Sequence, residues 1–250
     1  MAEIITEVLG RADTGVSVNP FFCKTEHGRE IYVKPFGVLP TSLIAEWIGG
    51  RLAQLMDLPC ADITIVEIPQ ILVEATRNPE WYDLKAGFGF GSFYLGSDYR
   101  DLQATDLTHL DPMQLAEVFL FDYWIRNGDR KMGPAAGNPN TLVHYLRDHF
   151  RLIDHDNAFD PAYSFEADTC LHIGLRVKEV WMVAAKRSAW LMKAHAACDA
   201  LEEIWQEIPE EWLYTDLDNL EEASYTLNQY REILEVAFTD PDTFWSPFMP

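Results

Sequence analysis

The chain is predicted to be α+β, a small strand-rich part followed by a larger helical part. Three observations predict this. Up to about residue 97, short runs of β-branched and aromatic residues alternate with Gly/Pro turns, whereas beyond it the apolar residues recur at helical spacing. A Gly96-Ser97-Asp98 hinge separates the two compositions. The 48% hydrophobic content, with eight tryptophans and fourteen phenylalanines, is enough to give each part a core. The expected domains are 1–97 and 98–250, with a small ligand in the cleft between them.

Ile4 to Leu9 reads as a first strand. After the Gly10–Gly15 turn come Val16-Ser17-Val18, Phe21–Lys24 and Glu30–Lys34, the last ended by Pro35. The period then changes: Leu43, Ile44, Trp47, Ile48, Leu52, Leu55 and Met56 share one helical face, with Thr41 or Ser42 as the expected N-cap. Glu46 projects away from that stripe. Ile63–Ile68 is a further strand, residues 70–85 carry no clear pattern, and the glycine-bounded aromatic run 87–96 contains another strand.

In the second part Asp111 and Pro112 stand as N-cap and first helical residue of a helix that is apolar on almost every side from Leu115 to Ile125. Helices are also expected over about 176–205 and 218–238. The aromatic tail Phe244–Pro250 either packs back or meets a partner.

Nineteen Lys and Arg against forty Asp and Glu give a formal charge of -21. Such a surface repels nucleic-acid backbones and anionic membranes, so neither is expected as a partner. Four scattered cysteines make no CxxC pair and point to a reducing cytoplasm. There is no apolar run of membrane-spanning length and no signal-peptide pattern at the N-terminus.

Residues able to do chemistry concentrate between Asp122 and Phe159. Asp129 follows the apolar helix, Asn138 and Asn140 lie in a Gly/Pro loop, and Asp154 leaves the short apolar run Phe150–Ile153. Phosphoryl transfer needs this set: a carboxylate to accept the proton of the attacking hydroxyl, then an amide oxygen and a second carboxylate to hold magnesium on phosphates. Taken singly, Asn-Gly-Asp and Asn-Pro-Asn are ordinary turn sequences. Their context argues for more, because Thr141-Leu142-Val143 and Phe150–Ile153 form a hairpin that brings Asn140 and Asp154 together.

Lys34 at a strand end and Glu46 on the following helix suit an ion pair that positions a lysine on phosphates; a solvated surface pair would have the same sequence. The Gly10–Val16 loop is either a phosphate-covering loop or a plain turn. A competing reading takes His144, His149, His155, Asp148, Asp154 and Asp156 as a transition-metal hydrolase site. Strand alternation opposes it, since His144 and His149 lie near the hairpin turn and His155 at the far end.

With Lys34, Glu46, Asn127-Gly128-Asp129-Arg130, Asn138-Pro139-Asn140 and Ile153–Phe159 in view, the chain resembles the HipA-like kinases, a bacterial branch of the two-lobed protein-kinase-like fold, and more distantly the phosphatidylinositol kinases. The resemblance implies a serine/threonine kinase, with Lys34 on the ATP phosphates beside Thr14, Gly15 and Val16, and Glu46 as its partner. It further implies Asp129 as catalytic base and Asn140 and Asp154 as Mg2+ ligands. The loop Lys131–Gly137 is longer than the family's usual spacing and leaves Asn138 as the alternative ligand. The implied partners are ATP, a protein substrate and a regulator or toxin-system antitoxin. Thr14 on the Gly10–Val16 loop and Ser17 just after it are either autophosphorylation sites or ordinary turn hydroxyls. A pseudokinase acting as a binding module is the alternative, and a lipid kinase a more distant one.

Overall fold

The computed structural model describes residues 2–12, 19–35, 40–76, 78–133, 138–214 and 226–249. Thr14, Gly15, Val16 and Ser17, with the strand expected at Val16–Val18, lie outside the described residues. The chain divides into two compact units, each discontinuous in sequence. One comprises Met1–Trp47, Ala61–Gly96 and Ile208–Ser224, the other Ile48–Cys60, Ser97–Glu207 and Tyr225–Pro250.

The first unit is built on a closed barrel with strand order β1-β2-β3-β5-β4. Its strands are β1 (Glu3–Arg11), β2 (Phe21–Thr25), β3 (Glu30–Lys34), β4 (Ile63–Ile68) and β5 (Gly87–Phe93). Alternation sets which side chains point inward: in β2, Phe21, Cys23 and Thr25 are buried while Phe22 and Lys24 are only partly so. Ile5, Ile31, Val33 and Val66 meet them in the barrel core. β1 and β4 run parallel, and every other pair is antiparallel. The glycines of β5 permit this packing, because a Cβ at Gly91 would lie 2.6 Å from Ile31 Cδ1 and 2.7 Å from Val66 Cγ1.

The stretch 70–85, without a pattern in the sequence, holds a short helix, α2 (Gln70–Ala75), and a 3-10 turn at Pro79–Trp81 whose indole meets the Phe21 ring edge-on. A late segment also joins this unit. Trp212 is fully buried and donates its indole N–H to Phe88 O at 3.0 Å, while the neighbouring Glu211 accepts from Phe88 N. Helix α1 (Pro40–Leu55) starts at the proline itself, so Thr41 and Ser42 lie inside it and do not cap it. Proline's fixed φ suits a first helical position.

The second unit is organised around α3 (Pro112–Trp124). Asp111 caps it through a bond from Met113 N at 2.8 Å, and Leu115, Ala116, Val118, Phe119, Leu120 and Phe121 are buried in succession. A three-stranded antiparallel sheet, β6 (Tyr99–Asp101), β7 (Thr141–His144) and β8 (Phe150–Leu152), carries the expected hairpin as its β7-β8 pair. The long helix expected over 176–205 is instead three pieces: a 3-10 stretch at Leu175–Met182, α5 (Ala184–Asp199) and α6 (Leu201–Gln206), following the short α4 (Phe165–Thr169). The 3-10 stretch ends at Val183, whose backbone is extended, and just before it Trp181 turns inward to donate its indole N–H to Ala116 O on α3.

Helix α7 (Leu227–Thr239) opens on a Thr226/Gln229 capping box, and residues 218–225 of the helix expected there lie outside the described residues. The aromatic tail packs back: α8 (Pro241–Trp245) and the turn after it bury Phe244, Trp245 and Phe248 against Tyr123 and Trp190. No described helix is long and apolar enough to cross a membrane.

Gly174 is where backbone meets backbone. A Cβ there would overlap Leu115 O on α3 and lie 2.9 Å from Phe119 Cβ. Gly174→Ala is expected to destabilise the protein by about 1–3 kcal/mol, as overpacking does in a filled core. Urea unfolding followed by circular dichroism checks this, and an unchanged midpoint would show that the contact relaxes freely.

Candidate active site

Helix α3 ends by delivering a buried acid. Asp122 is 1% exposed and binds three groups: Arg130 Nε donates to Oδ2 at 2.7 Å, Asn127 Nδ2 to Oδ1 at 2.9 Å, and His172 Nε2 lies 2.9 Å from Oδ2. The histidine accepts from Gly174 N through Nδ1 at 3.0 Å, so its proton sits on Nε2 and points at Asp122. Burial alone would raise the Asp122 carboxyl. The Arg130 guanidinium, helped by the His172 bond, outweighs burial and holds it well below the usual carboxylate range.

From this anchor the network reaches the candidate catalytic residues. Asn127 Oδ1 accepts from Asp129 N at 3.3 Å, fixing the turn that presents the half-buried Asp129. Arg130 is fully buried; its Nη1 donates to Asn140 O and, at 3.2 Å, to Ile153 O. Ile153 N donates to that same Asn140 carbonyl at 3.0 Å. One guanidinium therefore ties Asp122 to both ends of the β7-β8 hairpin, and Asn140 and Asp154 stand at those ends.

Both residues have left-handed backbones, with φ of 44° at Asn140 and 60° at Asp154. That conformation costs a non-glycine residue on the order of 1 kcal/mol, least for Asn and Asp, and persists only where its surroundings impose it. Here the imposed turn aims the side chains. Asn140 Nδ2 donates to Asp129 Oδ2 at 3.0 Å, and Asn157 Nδ2 approaches the same oxygen at 3.4 Å. Among the described residues, Asn140 Oδ1 is buried without a hydrogen-bond partner, and Asp129 Oδ1 also lacks one.

Asn138 is employed differently. Its Oδ1 accepts from Asn140 N at 3.2 Å, a local turn bond. A hard divalent cation such as magnesium takes oxygen ligands, and an orphaned buried amide oxygen at one hairpin end with a carboxylate at the other fits it. At Asp154 the carboxylate also accepts from Asp156 N at 3.4 Å, which orients it.

In the first unit Lys34 Nζ and Glu46 Oε2 are 3.0 Å apart, and the two residues are 8% and 2% exposed. The solvated-surface alternative is thereby excluded, since a buried pair of opposite charges is held in one geometry. The imidazoles of the rival metal reading are split. His144 and His149 pack against each other and Tyr99 near the hairpin turn, whereas His155 is buried beside Phe121.

Asp122, His172 and Asn157 did not emerge as functional from the sequence. A charged residue inside an otherwise apolar helix was the available signal for Asp122. For His172, in a segment without motif, no signal existed.

A sequence model described as HipA-like kinase matches residues 5–248. A comparison with curated protein sequences finds no match. Among solved structures, the chain is similar to a Golgi casein kinase at 12% identity, with 99% of this chain and 73% of that one covered and a TM-score of 0.47. It is similar to HipA of Shewanella oneidensis MR-1, solved with HipB and operator DNA, at 11% identity, 92% and 66% coverage and a TM-score of 0.47. The proinflammatory kinase CtkA of Helicobacter pylori is similar at 11% identity, with 90% of each chain covered and a TM-score of 0.40.

Asp122→Asn is expected to lower stability by about 3–5 kcal/mol at neutral pH, because it strands a buried guanidinium. Since the native carboxyl titrates below its ordinary value of 3.8, its ionised form stabilises the fold above that pH, and the contribution is lost as pH falls toward the native value. The gap between wild type and variant should therefore narrow below about pH 4. Denaturant titrations at several pH values measure it, and a gap independent of pH would contradict the assignment.

Proposed function

The chain belongs to the HipA-like kinase family, and from that premise we propose that it transfers the terminal phosphoryl group of ATP to a Ser or Thr hydroxyl on a protein, with Mg2+ as cofactor. The observation that supports this best is the pair of unengaged acceptor oxygens, Asp129 Oδ1 and Asn140 Oδ1, on two side chains that the Asn140 Nδ2 to Asp129 Oδ2 bond holds together.

Asp129 is the general base in this reading. Its Oδ2 is held by the amides of Asn140 and Asn157, so the carboxylate cannot rotate away and Oδ1 is left to orient the acceptor hydroxyl and take its proton. Asn140 Oδ1 and the Asp154 carboxylate would hold magnesium, which when bound neutralises phosphate charge. Lys34, held by its buried ion pair with Glu46, binds phosphate oxygens electrostatically. Asn140 is preferred to Asn138 as the ligand because its oxygen is buried without a partner among the described residues, whereas that of Asn138 accepts from Asn140 N. Thr14, Gly15 and Val16 would cover the phosphates.

The proposed acceptor is a protein because the acidic exterior disfavours an anionic lipid surface. A cytoplasmic setting, with a regulator or antitoxin as protein partner, completes the proposal.

Incubation with labelled ATP and Mg2+ tests it, with autophosphorylation at Ser17 or Thr14 or transfer to a protein acceptor as the readout. Asp129→Asn should reduce turnover by about 100-fold or more while nucleotide affinity, measured by calorimetry, stays near wild type. A variant retaining most of its turnover would remove Asp129 from the role. Asp154→Asn should weaken nucleotide binding in the presence of magnesium but not in its absence. Nucleotide binding without any transfer by the wild-type chain would assign it as a pseudokinase.

A further inference from the structure

Away from the active-site residues, the second unit contains a cavity of about 120 Å³. Two helical faces and a turn form it. Lys186, Ala189, Trp190 and Lys193 recur at helical spacing along α5, Met113 and Glu117 lie one turn apart on α3, and Met56 and Leu58 follow α1. Trp181 also lines it, with its indole N–H already engaged by Ala116 O. Met56, Leu58, Trp181 and Trp190 are buried, so the interior is hydrocarbon and aromatic.

The polar groups are few and of both signs. Glu117 is half-buried, has no hydrogen-bond partner among the described residues, and burial pushes its carboxyl above the usual range. Two lysines stand at the exposed rim with weak engagements: Lys193 Nζ lies 3.2 Å from the exposed Asp57, and Lys186 Nζ lies 3.3 Å from the Met113 thioether. A simple cation drawn to Glu117 would meet both lysines. A simple carboxylate drawn to the lysines would meet Glu117. A zwitterion with an apolar side chain satisfies all three.

Size narrows the class further. A dry cavity of about 150 Å³ holds a benzene ring, so 120 Å³ suits a branched aliphatic group with its charged end left at the mouth. We propose that this cavity binds a free α-amino acid with a branched aliphatic side chain, its ammonium on Glu117, its carboxylate on Lys186 and Lys193, and its side chain against Trp181, Trp190 and Leu58. The site is independent of the phosphoryl-transfer reading and stands or falls without it.

Calorimetric titration of the full chain with L-leucine tests the inference, alongside 3-methylbutylamine, which lacks the carboxylate, and 4-methylpentanoate, which lacks the ammonium. Leucine is expected to bind saturably at one site, with each analogue weaker by about tenfold or more, the cost of leaving one charged partner unmatched. Glu117→Gln should bring leucine down to the level of 4-methylpentanoate. Ala189→Trp, at an exposed position on the cavity wall, should abolish binding with an unchanged circular dichroism spectrum and melting temperature. No leucine binding by the wild-type chain, equal binding of either analogue, or full binding by both variants would overturn the proposal.

Discussion

The buried ion pair between Asp122 and Arg130 is the constraint on which the candidate active site depends. Both side chains are withdrawn from water, and removing either partner of such a pair leaves an uncompensated buried charge. Asn127 and His172 complete the acid, and the carbonyls of Asn140 and Ile153 engage the guanidinium. Satisfying the charge thus fixes three backbone segments that are otherwise only loops: the turn after α3 and both ends of the β7-β8 hairpin.

That linkage explains why strain collects there. Asn140 and Asp154 are held in left-handed backbone conformations, and the hydrogen bonds to Arg130 and between Ile153 N and Asn140 O outweigh the local cost. Preorganisation follows from the same geometry. Asp129 and Asn140 have one side-chain atom each engaged with the other, so neither must lose rotamer freedom when a substrate arrives. The unit that carries Lys34 uses the same principle in a smaller form, with Glu46 as the buried partner that keeps an otherwise mobile lysine in one orientation.

Much of this was legible from local pattern. Strands β1 to β5 followed from alternation and from turn residues, and the cap of α3 from Asp111 and Pro112. That Asn140 and Asp154 come to the same end of the hairpin followed from its register, because pairing Thr141 with Leu152 sets Asn140 opposite Ile153, the residue before Asp154. Where local pattern was misleading, it misplaced helix ends. The expected helix over 176–205 breaks at Val183, just after Trp181 bonds to α3, and Thr41 and Ser42 are helix interior because the helix takes Pro40 as its first residue.

By itself, the sequence determined which residue types were available and in what order: a lysine ending a strand, a glutamate on the next helix, then acid, amide and acid around a hairpin. Periodicity and turn chemistry are encoded within a few residues, so these survive without coordinates. Only the tertiary structure decided which oxygens are spent and which are free. It turns the oxygen of Asn138 to a neighbouring N–H, leaves that of Asn140 without a partner among the described residues, and joins Asp122 and His172 to the network that holds Asn140. Hydrogen-bond satisfaction is a property of groups brought together from distant parts of the chain, and no local pattern records it.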